Sequence, residues 1–70
     1  MKKTAGYVVV DNGGVKRLLN DVLWITDSTG TLFATRKDAK KAIARTKTYQ
    51  DKHQYEWDVE FWWIVRMVNS

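Results

Sequence analysis

The chain has 70 residues, 12 of them Lys or Arg and 8 Asp or Glu, for a net charge of +4 with its single histidine neutral. It has no cysteine and no proline, but four Trp, three Tyr and two Phe. That composition excludes disulfides, thiolate zinc sites and cysteine nucleophiles, and His53 alone cannot build a histidine metal site. A chain this short buries only about 60% of its unfolded surface, so a dense aromatic core or self-association is left to stabilise it.

One domain spanning residues 1–70 is expected. Met1-Lys2-Lys3 is basic, but no apolar stretch of signal-peptide length comes after it. The longest apolar run, Phe61 to Val65, is far too short to span a bilayer. A soluble, cytoplasmic protein with no membrane role is therefore expected.

Gly6-Tyr7-Val8-Val9-Val10 is rich in β-branched residues and reads as a first strand. Asn12-Gly13 comes next, a hairpin signal for a type I′ turn with positive φ at both central residues. Val15 to Leu19 is the return strand, Asn20-Asp21 a second turn, and Val22 to Thr26 a third strand. Asp27 to Gly30 makes a further turn, and Thr31 to Ala34 a short pairing segment.

Thr35 with Asp38 three residues on resembles a capping box, and good helix formers continue from it. Ala39, Ala42, Ile43, Thr46 and Gln50 fall on one narrow stripe at helical spacing. Small residues there let the helix lie close to a bulky sheet, with Trp57, Phe61 or Trp63 beneath Ala39 and Ala42. The helix is expected to fray between Tyr49 and His53.

Trp57 to Val68 reads as one closing strand. Period two puts Trp57, Val59, Phe61, Trp63, Val65 and Met67 on a core face, and Asp58, Glu60, Trp62, Ile64, Arg66 and Val68 on the other. The fold class is therefore α+β: an antiparallel sheet of three to five strands with one helix packed on one face, in the order β-β-β-(β)-α-β.

A sheet covered by a helix on one side should be polar on the other. Here both parities are apolar on three strands. The open face is assigned Val8, Val10, Trp62 and Ile64, and these are the expected protein-interface residues. A homodimer through this face, or a protein partner on it, is the leading functional reading.

The alternative is nucleic acid. Residues 36 to 50 carry Arg36, Lys37, Lys40, Lys41, Arg45 and Lys47 against Asp38 alone, whereas Asp51, Glu56, Asp58 and Glu60 dominate residues 51 to 70. Lysines for phosphates and rings for base stacking are the two ingredients such binding needs. A solvated basic helix beside an acidic neighbour is the plainer explanation of the same charges.

Catalysis is not expected. Asp58 and Glu60 point the same way on a strand, but no third ligand or nuclease-like Lys accompanies them. The Ser and Thr residues have no base beside them, and Gly13-Gly14 does not lead into the helix a phosphate loop requires. No cofactor or small-molecule motif is present, and the Ala39/Ala42/Ile43 stripe is too weak for membrane binding.

The segment Leu32-Phe33-Ala34-Thr35-Arg36-Lys37-Asp38-Ala39-Lys40-Lys41-Ala42-Ile43 resembles a pattern found in small uncharacterised phage and prophage proteins. In these a short strand ending in an aromatic runs into Thr/Ser-x-x-acid-Ala and then a helix. Tyr7 to Val10, Trp24 and the closing apolar strand fit the same layout. The resemblance implies a small accessory protein in the host cytoplasm, of a class often of unknown role, some members of which bind and modulate a host enzyme. It transfers no catalytic or binding residue.

Overall fold

The computed structural model describes residues 3–27 and 30–69. Met1-Lys2 and the Ser28-Thr29 centre of the expected third turn lie outside them. Three strands come first: β1 (Lys3–Asp11), β2 (Gly14–Leu19) and β3 (Val22–Asp27). Helix α1 (Arg36–His53), a 3-10 turn at Val59–Phe61 and strand β4 (Trp63–Asn69) complete the chain. The four strands form one antiparallel sheet in the order β3-β2-β1-β4, and the sequence order is βββ-α-β.

The left-handed geometry expected at the first hairpin turn is found at the second instead. Neither Asn12 nor Gly13 is in the left-handed region. Instead the Asp11 carboxylate closes the turn, its Oδ1 accepting the N–H groups of Gly13 and Gly14 at 2.8 and 3.0 Å. Asn20 and Asp21 take positive φ, 53° and 64°. That is the left-handed pair which matches strand twist in a two-residue loop, and both residue types tolerate it.

The expected pairing segment at Thr31 to Ala34 is present as a wedge. β1 and β2 pair only at Val10–Val15 and Asp11–Gly14. Beyond that point Phe33 takes the edge of β1: Tyr7 N–H donates to the Phe33 carbonyl (2.8 Å), and Phe33 N–H to that of Tyr7 (2.7 Å). On the β2 side, Thr31 N–H donates to the Lys16 carbonyl, and Leu18 N–H to Thr31 Oγ1 at 2.8 Å. The close approach requires glycine at position 6, where a Cβ would lie 2.6 Å from the Phe33 carbonyl oxygen.

The helix starts as the sequence predicts, with Asp38 N–H donating to Thr35 Oγ1 at 3.1 Å. It does not fray after Tyr49; it runs to His53 and stops where Gln54 turns left-handed (φ 58°). Its buried stripe is Ala39, Ala42, Thr46 and Gln50. Thr46 is fully buried but satisfied, donating to the Ala42 carbonyl (2.8 Å) and accepting Leu23 N–H (2.9 Å). The core is Val9, Leu23, Ala39 and Ala42, with Tyr7, Leu18, Phe33, Ile43, Trp62 and Ile64 packed around it.

The closing segment is not one strand. Asp58 is left-handed (φ 57°), and Val59 to Phe61 make a 3-10 turn. Gln50, from the helix, holds this turn by accepting Val59 N–H on its side-chain oxygen at 3.1 Å. Regular alternation begins only at Trp63, and the expected parity is inverted. Trp62 and Ile64 pack against the helix-side core, whereas Phe61, Trp63 and Met67 are exposed. The residues beneath Ala39 and Ala42 are therefore Val9, Leu23 and their neighbours, in place of the expected Trp57, Phe61 or Trp63.

Candidate interaction surfaces

Between Val8 and Val10 the β1–β4 register is regular: Val8 opposite Val65, Val9 opposite Ile64, Val10 opposite Trp63. Side chains alternate along a strand, so Val9 and Ile64 share the core side while Val8, Val10, Trp63, Val65 and Met67 share the other. Of the four expected interface residues, Trp62 and Ile64 are thus on the wrong side for that role. They belong to the core because the 3-10 turn resets the alternation. Val8 lies on the open side but is 5% exposed, and Val10 is half-buried.

The residues available there are Trp63, 47% exposed, and Met67, 44% exposed, with half-buried Val10 and Val65 between them. The helix cannot reach this surface, since it lies on the opposite side of the sheet. It is also short: 18 residues span about 27 Å, against a molecule 44 Å long. Among the described residues the β4 strand has a neighbour on one edge only, β1, since it ends the sheet order.

A second surface lies at the C-terminal end of α1, and the sequence does not announce it as a unit. Trp24, Tyr49, His53, Tyr55 and Trp57 form a continuous cluster of rings. Trp24 stands edge-on to Trp57 (centroids 5.0 Å apart), and Tyr55 stacks on Trp57 at 4.7 Å. Tyr49 lies within 9° of parallel to Trp57, and His53 sits 4.3 Å from Tyr49. Part of the pattern is visible in the residues: Tyr49 and His53 are one helical turn apart, and His53, Tyr55 and Trp57 recur at every second residue. Trp24, on β3, is joined to them only by the fold.

The expected nucleic-acid residues Arg36, Lys37, Lys40, Lys41, Arg45 and Lys47 are all exposed on α1. They do not form one patch. Arg36 lies over the Tyr7 ring at 5.3 Å, at the N-terminal end. Lys37, Lys41 and Arg45 fall in the i, i+4 row that continues through Tyr49 to His53. Arg45 Nε donates to the Asp21 carbonyl at 3.4 Å, which ties this row to the β2–β3 turn.

A polar network sits where β1, β2 and β3 meet. Lys16 is nearly buried, its ammonium 3.5 Å from Asp11 Oδ2, 2.6 Å from Thr26 Oγ1 and 4.4 Å above the Trp62 ring. Thr26 donates its hydroxyl to Asp11 at 3.2 Å. Burial pushes the Asp11 carboxyl up, but the Gly13 N–H, the Lys16 charge and the Thr26 hydroxyl together outweigh it and hold it below its ordinary value. This is a strand-locking device: every buried side-chain polar atom among the described residues has a partner.

The cleft beside it, bounded by Asp11, Trp57, Phe61 and Trp62, holds about 220 Å³, below the roughly 300–1,000 Å³ of ordinary ligand pockets. Among the described residues no three His, Asp or Glu side chains gather as metal ligands would. Nor, among those residues, is any helix long and apolar enough to cross a membrane. No protein-family model matches this chain, and no curated protein or solved structure is significantly similar to it.

Proposed function

We propose that this protein is a non-catalytic interaction module that self-associates through the open face of its sheet and the free edge of β4. The single observation that supports this reading is the exposure of Trp63 and Met67 on the side of the sheet away from the helix. A tryptophan on the wet side of a 70-residue domain leaves apolar area in water that association would remove, at roughly 25 cal/mol per Å².

A twofold dimer suits the sequence of β4. Antiparallel pairing of two copies about Val65 sets Trp63 of each copy opposite Met67 of the other, a favourable sulfur–ring contact. The same register sets Arg66 opposite Ile64 and so keeps the two arginines apart. An unprotected edge strand with no proline and one charged side chain is the usual starting point for such pairing.

The test is sedimentation velocity or light scattering across a wide concentration range. A concentration-dependent dimer is expected, and Trp63→Ser together with Met67→Ser should return it to monomer without unfolding it. A native chain that stays monomeric at the highest attainable concentration, or a dimer indifferent to both substitutions, would remove this reading.

A further inference from the structure

We infer that the ring cluster and the basic row leading into it form a binding site for single-stranded nucleic acid. This site lies on the helix side of the sheet and does not rest on the self-association proposed above.

Three observations converge. First, the rings are held but not hidden. Trp24 is 44% exposed and Tyr55 39%, although each makes several ring contacts. A cluster serving only as a core would bury its outer members. Rings already fixed by edge-on and stacked neighbours lose little freedom when a base settles on them.

Second, cations lead into the rings along a single helical row. Lys41, Arg45, Tyr49 and His53 recur every four residues, and Lys52 is three beyond Tyr49, so phosphate-seeking and base-seeking groups lie side by side. Third, the cations of this row are uncommitted to carboxylates: among the described residues neither Lys41 nor Arg45 has a carboxylate within 4 Å, and Arg45 is steadied by a carbonyl, which leaves its charge unneutralised.

The pairing of the two chemistries selects the ligand. An acidic peptide would use the cations and leave the rings idle. A duplex would use the cations but keep its base faces stacked inside. An unpaired strand offers both a charged backbone and open π-faces. Glu56 lies between Tyr55 and Trp57 and Asp58 directly follows them, so repulsion from these carboxylates directs the phosphates back along α1 toward Arg45 and Lys41.

The experiment is a titration of the intact protein with dye-labelled, mixed-sequence oligonucleotides, DNA and RNA, single-stranded and duplex, monitored by anisotropy and by tryptophan emission. Single strands are expected to quench the emission and to bind more tightly than duplex of equal length. Tyr55→Ala should weaken that binding about fivefold or more, the worth of one lost base–ring stack. Lys41→Ala with Arg45→Ala should flatten the salt dependence by about 1.4 in log–log slope, for two lost phosphate contacts. Lys3→Ala, on β1 and outside the helix, should change little.

Tyr55 is exposed, so its replacement should leave the fold intact; circular dichroism of each variant checks this. No binding at low salt overturns the inference. So does duplex binding as tight as single-strand binding, or affinity untouched by Tyr55→Ala, since either means attraction of phosphates alone.

Discussion

The two faces of the β1–β4 ribbon are built from similar residues and differ in what lies over them. Val9, Trp62 and Ile64 meet the small stripe of α1 and become core. Val10, Trp63, Val65 and Met67 meet nothing from their own helix, and two of them stay nearly half exposed. Trp62 and Trp63 are consecutive, so the contrast owes nothing to side-chain type. It comes from a single helix that covers one side of the sheet and leaves the other side without a layer. Apolar character alone therefore does not distinguish a core residue from a docking residue in this fold.

Substitutions at the two tryptophans test that contrast most severely. Trp62→Ala should lower stability by about 3 kcal/mol, the low end for a buried Trp because it is only partly covered, and it also strips the ring from beneath Lys16. Trp63→Ala should cost the monomer under about 1 kcal/mol. Urea denaturation of both, at concentrations where the wild type is monomeric, measures the gap. Equal losses would mean that the two faces are equally packed.

Enlarging rather than deleting gives the next largest effect. Ala42 is fully buried where the helix lies closest to the sheet. Ala42→Leu should therefore cost about 1–3 kcal/mol through overpacking. Val10→Leu, on the half-open face, should cost less than about 1 kcal/mol. Thermal melts of the pair would sharpen the comparison.

The smallest effect concerns the charge network at the strand junction, which belongs to the covered side. Asp11→Asn leaves the nearly buried Lys16 ammonium without its counter-charge and should destabilise more than Lys16→Met, since Asp11 without Lys16 keeps the N–H groups of Gly13 and Gly14. The acid dependence comes from the depressed carboxyl. Its unfolded value is near 3.8 and its folded value is lower. The stability it contributes is thus complete above the ordinary carboxylate range and is lost as pH falls below about 4. The difference between wild type and Asp11→Asn in urea midpoint should accordingly shrink from neutral pH to about pH 3.

Local chemistry makes much of this molecule legible from its residues. The β-branched run at Tyr7 to Val10, the short loops at Asn12 and Asn20, the Thr35 cap and the Ala39/Ala42/Thr46/Gln50 stripe depend on neighbours a few positions away. The βββ-α-β order of one antiparallel sheet with a helix on one side is built from them. The basic helix is equally plain, as is the short pairing segment that becomes the Phe33 wedge.

The tertiary structure decided which side each residue faces. Alternation has a period but no origin, and a strand apolar on both parities supplies none. The origin of β4 is set by Gln50, which accepts the Val59 N–H from across the fold and holds the 3-10 turn that starts the count one residue late. Likewise, no local pattern places Trp24 against Tyr49, Tyr55 and Trp57, because that contact needs β3 brought beside the end of α1. Both decisions rest on hydrogen bonds and packing between segments distant in the chain, which short-range periodicity does not encode.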